Sequence, residues 1–184
     1  QRAAKALTSL PLEDVLRWGW AATAASDAVW DNEGTRAIAE RHTRLVRDVG
    51  ALAQLPVILA ALGNAATLSG DFAGAALLIA EAHAIGAATG TRFAPYTALR
   101  LLALQGREIE ATTLIAATLE RAAGEGQGLA AKTAHSTAAV LCNSLGRYDE
   151  AALAARRATS EPFEPFVSMW AMPELVEATA RSGD

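Results

Sequence analysis

Cysteine, aromatic residues and any block of one charge sign are all scarce in this 184-residue chain. Cys142 is its single cysteine. One thiol excludes an internal disulfide, and with it the stapled small-domain class, and it fits a reducing compartment such as the cytoplasm. Cys142 lies in the apolar run Ala138-Ala139-Val140-Leu141-Cys142 and reads as a small core residue. The three histidines, His42, His83 and His135, are far apart and form no H-E-x-x-H or Cys/His ligand spacing, so neither a metal site nor a cofactor is expected. There is no G-x-x-x-x-G-K-[ST] phosphate loop and no G-x-S-x-G elbow.

The formal net charge is −4, where a nucleic-acid-binding domain carries a basic face. The one arginine-rich stretch, Arg36, Arg41, Arg44 and Arg47, is interleaved with Glu40 and Asp48 and reads as a solvated helix face. Direct nucleic-acid binding is therefore not expected. The longest apolar run, around residues 51–66, is broken by Gln54, Pro56, Gly63 and Asn64. It reads as a buried helix, so no membrane partner is expected. No signal peptide is visible, and a start at Gln1 reads as a segment of a longer protein.

Alanine and leucine dominate what is present, and hydrophobic residues make up 52% of the chain. Both lose little side-chain entropy in a helix, whereas the β-branched and aromatic residues that favour strands are few. Three segments align on a Gly followed five residues later by Ala: Gly70-Asp71-Phe72-Ala73-Gly74-Ala75, Gly106-Arg107-Glu108-Ile109-Glu110-Ala111 and Gly146-Arg147-Tyr148-Asp149-Glu150-Ala151. Arg181-Ser182-Gly183-Asp184 starts the same turn again. Such a Gly ends a helix in the left-handed conformation, and the following Ala fits a close helix crossing. Phe72, Ile109 and Tyr148 can pack back onto the preceding helix.

Reading outward from these turns predicts helices near 12–26, 33–49, 52–69, 71–89, 93–105, 107–124, 127–145, 147–160 and 171–181. Pro11, Pro95 and Pro173 suit first-turn positions. Residues 161–166 read as irregular. Trp18 and Trp30 read as core of the first hairpin, while Trp20 and Trp170 suit a surface meeting a neighbour. The Gly124-Glu125-Gly126-Gln127-Gly128 run follows no strand and reads as a turn. Glu13/Asp14 and Asp149/Glu150 sit at helix starts, where the dipole favours them.

Leu62-Gly63-Asn64-Ala65, followed by Gly70-Asp71-Phe72 and Ala75, resembles the tetratricopeptide consensus. The phrases Leu16-Arg17-Trp18-Gly19-Trp20-Ala21-Ala22, Leu45-Val46-Arg47-Asp48-Val49-Gly50-Ala51-Leu52, Leu145-Gly146-Arg147-Tyr148-Asp149-Glu150-Ala151-Ala152 and Trp170-Ala171-Met172-Pro173-Glu174-Leu175-Val176-Glu177-Ala178 resemble the helical-repeat region of large LuxR-family transcriptional regulators. The resemblance implies an all-α, right-handed solenoid of tandem antiparallel helix hairpins in one domain spanning 1–184. Its hairpins would fall at about 12–49, 52–89, 93–124 and 127–160, with a truncated last one at 171–184.

It also implies a concave groove, with Asn64, Tyr96, Arg100, Ser136 and Asn143 as candidate binding residues. Asn64 would hold a peptide backbone amide, and Arg100 a carboxylate or phosphate. The implied function is a non-catalytic sensor for a small-molecule effector or a protein, relaying its state to ATPase and DNA-binding domains that this chain lacks. The alternative is a general scaffold with a peptide in the groove. Exposed array ends would also allow a homodimer. An enzyme would need a deep pocket that brings titratable groups such as His135 together with Arg100.

Overall fold

The computed structural model describes residues 11–160 and 165–183, with the side chains of Leu12, Leu16, Trp20, Pro165 and Phe166 left aside. The described residues form helices and no strand. The chain divides into two compact units, residues 1–93 and 94–184.

The first unit contains α1 (Leu12–Asp27), α2 (Asn32–Asp48), a short 3-10 turn (Leu52–Gln54), α3 (Leu55–Leu68) and α4 (Phe72–Thr89). Each helix packs chiefly on the next. Its core is Ala39 and Val46 of α2 against Leu55, Ile58, Leu59 and Leu62 of α3, closed by Leu78, Ala82 and Ile85 of α4. Leu55 and Leu59 are fully enclosed. Burial of each is worth about 1.5–3 kcal/mol. Ala22 and Ile38 join α1 to α2, and Asn32 Nδ2 donates to the Ala65 carbonyl at 3.3 Å, tying α2 to α3.

The expected turns form. Gly50, Gly70, Gly106, Gly126 and Gly146 all take positive φ. The residue after each donates to the carbonyl five positions back, as Asp71 N does to Ala66 O at 2.9 Å and Arg147 N to Cys142 O at 2.9 Å. This closes the helix end by pairing a carbonyl that has no intrahelical partner. Ala75, Ala111 and Ala151, the expected crossing points, have no exposed surface. The expectation for Ile109 fails: it is 81% exposed, pointing away from the preceding helix.

The second unit contains α5 (Tyr96–Leu104), α6 (Glu108–Glu125), α7 (Gly128–Ser144), α8 (Tyr148–Ala158) and α9 (Pro165–Ser182). Here the expected right-handed solenoid of stacked hairpins is corrected. Helix α7 packs not only on its sequence neighbours α6 and α8 but also on α5 and α9. That makes a cross-linked helical bundle around a central helix instead of a row of hairpins. The physical reason lies in α7 itself. Ala130, Ala134, Ser136, Thr137, Ala139, Leu141 and Asn143 are all buried, so small residues clear more than one of its faces for close neighbours.

Leu99, Ala103, Ala111, Ile115, Ala134 and Leu141 form the main core of this unit. Ala139, Ala154 and Ala155 extend it. Lys132, almost fully buried, donates from Nζ to the carbonyl of Ser160 just past the end of α8. Asn143 Nδ2 donates to the Glu174 carbonyl at 3.0 Å and to its Oε2 at 2.8 Å, fixing α7 to α9.

Helix α9 starts at Pro165, earlier than expected, and runs through Pro173, which is inside the helix and not in its first turn. Of the expected irregular stretch, residues 161–164 lie outside the described residues. Gly124 belongs to α6, and the turn is confined to Gly126 and Gln127.

Candidate functional site

The five expected binding residues fall in both units. Asn64 is in the first unit and the other four are in the second. Asn64 is half-buried on α3, and its Oδ1 is buried without a hydrogen-bond partner. Ser136 is buried in α7, and Asn143 is spent on Glu174. The Arg100 guanidinium stacks over the Trp170 ring at 4.3 Å, holding α5 to α9. Such a pair contributes about 0.5–2 kcal/mol. Tyr96 begins α5, half-buried, and burial pushes its hydroxyl above the ordinary range. Arg100 and Asn143 thus tie helices of the second unit together.

The titratable groups are scattered. Burial holds the imidazoles of His42 and His135 below their ordinary value, with Arg157 adding to the effect at His135. Burial raises the Cys142 thiol, so the thiolate is disfavoured. Among the described residues no group of three His, Cys, Asp or Glu side chains converges as a metal site would require. Two arginines of the basic stretch are paired with acids: Arg36 with Glu40 and Asp71, and Arg47 with Glu81.

The surface, not a cleft, carries the unusual features. Helix α4 is apolar around most of its surface, interrupted by Glu81 and His83, and is long and hydrophobic enough to cross a membrane by length and composition, yet Ala75 is its one buried residue. Its inner side, Leu78, Ala82 and Ile85, rests on the core of the first unit. Its outer side presents Ala73, Leu77, Ala80, Ala84 and Ala87, recurring every three or four residues as one exposed stripe. Leu77 is 73% exposed. The sequence signal was there: a helix this apolar is normally covered on most sides. The run at 51–66, expected as a buried helix, falls mostly in α3, whose buried residues fill the core.

The second feature is the α1–α2 turn. Trp30 takes φ +57°, the position that glycine fills at the other helix ends. A non-glycine residue there costs about 1–2 kcal/mol. Trp30 is 58% exposed and Trp18 46%, so neither is core, contrary to expectation. Val29, Trp30, Asp31, Asn32 and Glu33 line an open cavity of about 380 Å³.

No protein-family model, curated protein or solved structure matches this chain. The resemblance to LuxR-family regulators therefore has no support beyond local phrases, and the tetratricopeptide resemblance reduces to the helix-ending turns.

Proposed function

We propose that this chain is a non-catalytic interaction module that binds a helix of a partner protein against the outer face of α4. The observation that carries this is the exposure of a continuous apolar stripe on a well-formed helix. Water does not favour such a face left bare, and contiguous exposed apolar surface marks interaction sites. Alanines at Ala73, Ala80, Ala84 and Ala87 would let a partner helix approach closely. Leu77 supplies the one large anchor.

Insertion of α4 into a bilayer would also cover the face. It is disfavoured by the opposite side of the helix, where Leu78, Ala82 and Ile85 are held by α3 and Glu81 pairs with Arg47. A membrane span would have to break that core and desolvate the carboxylate.

The test is a photo-crosslinking side chain placed at Leu77 and, as a control, at Leu153 of α8, which is also exposed, in cells of the source organism. A discrete protein adduct from position 77 alone, mapped to a helical segment and abolished by Ala80→Arg, is the expected result. Lipid adducts, or identical patterns from both positions, would overturn the proposal.

A further inference from the structure

We propose that α1 is an acid-released flap: protonation of His42 frees α1 from α2 and bares the face of α2 beneath it, while α2, α3 and α4 stay folded together. The inference does not rest on α4 being a docking face. Three observations meet at the contact between α1 and α2.

The first is the seat of the ring. His42 is on α2 and only 5% exposed. Gly19 of α1 lies directly against it. A Cβ at that glycine would come within 2.5 Å of Nδ1 and 2.7 Å of Cε1. The backbone of α1 thus rests on the imidazole, and the absence of a side chain at residue 19 is what lets it do so.

The second is bonding. His42 Nε2 is buried without a hydrogen-bond partner. A neutral ring can leave that nitrogen as a bare acceptor, whereas an imidazolium carries an N–H donor on both nitrogens. The ionisable groups on the helices packed around the ring are Glu13, Asp14, Arg17 and Asp27 of α1 and Glu33, Arg36, Glu40, Arg41, Arg44, Arg47 and Asp48 of α2, with none on α3. Burial is the cause that moves its titration, and it moves it below 6.5. A charge in this seat would be enclosed with an unmet donor, which is costly.

The third is how α1 is held. It packs chiefly on α2, whereas α2 is gripped from its other side by α3, and α3 in turn by α4. Among the described residues, Ala22 and Ile38 are the buried apolar pair that joins α1 to α2. On its other side α2 sets Ala39 and Val46 against Leu55, Ile58, Leu59 and Leu62 of α3. The Thr35 hydroxyl donates to Asp27 at 2.7 Å and the Asp31 amide to the Ser26 carbonyl at 2.9 Å, both at the α1–α2 turn. These ties make a pivot at one end of α1 and leave the Gly19–His42 contact as the latch. An element held from one side opens before the core it covers.

Opening hydrates the ring and restores its ordinary affinity for a proton. The open form is therefore favoured as pH falls below 6.5 and gains nothing above it. One proton is taken up, so the open population rises by at most about tenfold per pH unit. The surface uncovered is apolar at Ile38 and cationic at His42.

The experiment is backbone hydrogen exchange on the whole chain from about pH 7.5 to about pH 5.5, corrected for the intrinsic pH dependence of exchange. The Cε1–H NMR signal of His42 is followed over the same range. The expected result is faster opening of the α1 amides below 6.5, in step with the His42 signal and with no matching change in α3. His42→Gln, which cannot take up the proton, should leave α1 equally protected throughout. Should that variant fail to fold, the match between α1 opening and the His42 signal in the parent chain decides the matter. Loss of protection in α1 and α3 together would overturn the proposal, since the unit would then be unfolding as one. So would an α1 that stays closed while His42 titrates, or an acid response that survives in His42→Gln.

Discussion

The two units use the same turn grammar but close their helices differently. In the first, α2 and α4 begin with an aspartate, Asp31 and Asp71, each accepting from the amide of a glycine three residues on, Gly34 and Gly74, at 2.9 Å. Each glycine makes room for the cap, since a Cβ at Gly34 or Gly74 would collide with the aspartate carboxylate. In the second unit the equivalent positions are Arg107, Gln127 and Arg147, with no side-chain cap. Arg107 pairs with Glu110, and Arg147 reaches Glu108 on another helix at 2.7 Å. Local capping suits helices stacked in sequence. Ties between helices suit a bundle in which α7 meets four neighbours. The units also differ in cover: α7 is enclosed on several faces, while α4, of similar length, is bare on one.

The sharpest way to break this contrast is truncation of one leucine on each helix. Leu141→Ala on α7 removes a side chain that is 2% exposed and should destabilise the second unit by about 2–5 kcal/mol, read as a fall in the denaturant midpoint. If it costs under 1 kcal/mol, α7 is not the centre of the bundle. A smaller but still large effect is expected at Gly19, where a Cβ would come within 2.5 Å of His42 Nδ1. Because that contact is with a ring enclosed in the core, Gly19→Ala should cost about 1–3 kcal/mol. A neutral result would mean that α1 is held only loosely on α2.

Capping comes next. Asp71→Ala should lose about 1 kcal/mol, since it orphans an amide at a helix start. Arg147→Ala should lose less, about 0–1 kcal/mol, because both partners of its ion pair with Glu108 are nearly half exposed. Equal losses would show that the units do not differ in how they begin their helices.

Helix positions and helix ends were legible in the sequence because they depend on local chemistry: glycine where φ is positive, alanine where helices cross. Cross-linking was not legible. Nothing in Asn143 or Arg100 announces that they will meet Glu174 and Trp170 of a helix about thirty to seventy residues away, and the same polar types line binding grooves elsewhere. Trp30 departs from the core position expected of an aromatic residue beside an apolar stretch. The left-handed turn that pushes it outward shows only when the Ser26 to Asp31 hydrogen bond is aligned with those of the glycine turns.

The histidines sharpen the comparison through pH. His42 is enclosed in the first unit with Nε2 lacking a partner, and burial alone keeps its imidazole below the ordinary 6.5. The charged groups on the helices packed around it are Glu13, Asp14, Arg17 and Asp27 of α1 and Glu33, Arg36, Glu40, Arg41, Arg44, Arg47 and Asp48 of α2, with none on α3, and burial is the cause of its shift. As pH falls below 6.5 the unfolded chain takes up a proton that the folded unit refuses, so stability is lost toward acid and is fully present above that value. His42→Phe should flatten the fall in melting temperature between about pH 7 and pH 5.5, and an unchanged slope would place the acid sensitivity elsewhere. His135 predicts the same sign in the second unit, with Arg157 as an added cause.

The smallest effect tests the bare helix. Leu77→Ala should shift stability by no more than about 0.5 kcal/mol, because a side chain 73% exposed has little packing to lose. It should nonetheless abolish the crosslinked adduct formed from a neighbouring outer position such as Ala80, since the anchor of that face is gone. A loss of several kcal/mol instead would mean that Leu77 is covered by the chain itself in solution. The α4 face would then be part of the protein's own core and not a surface held for a partner.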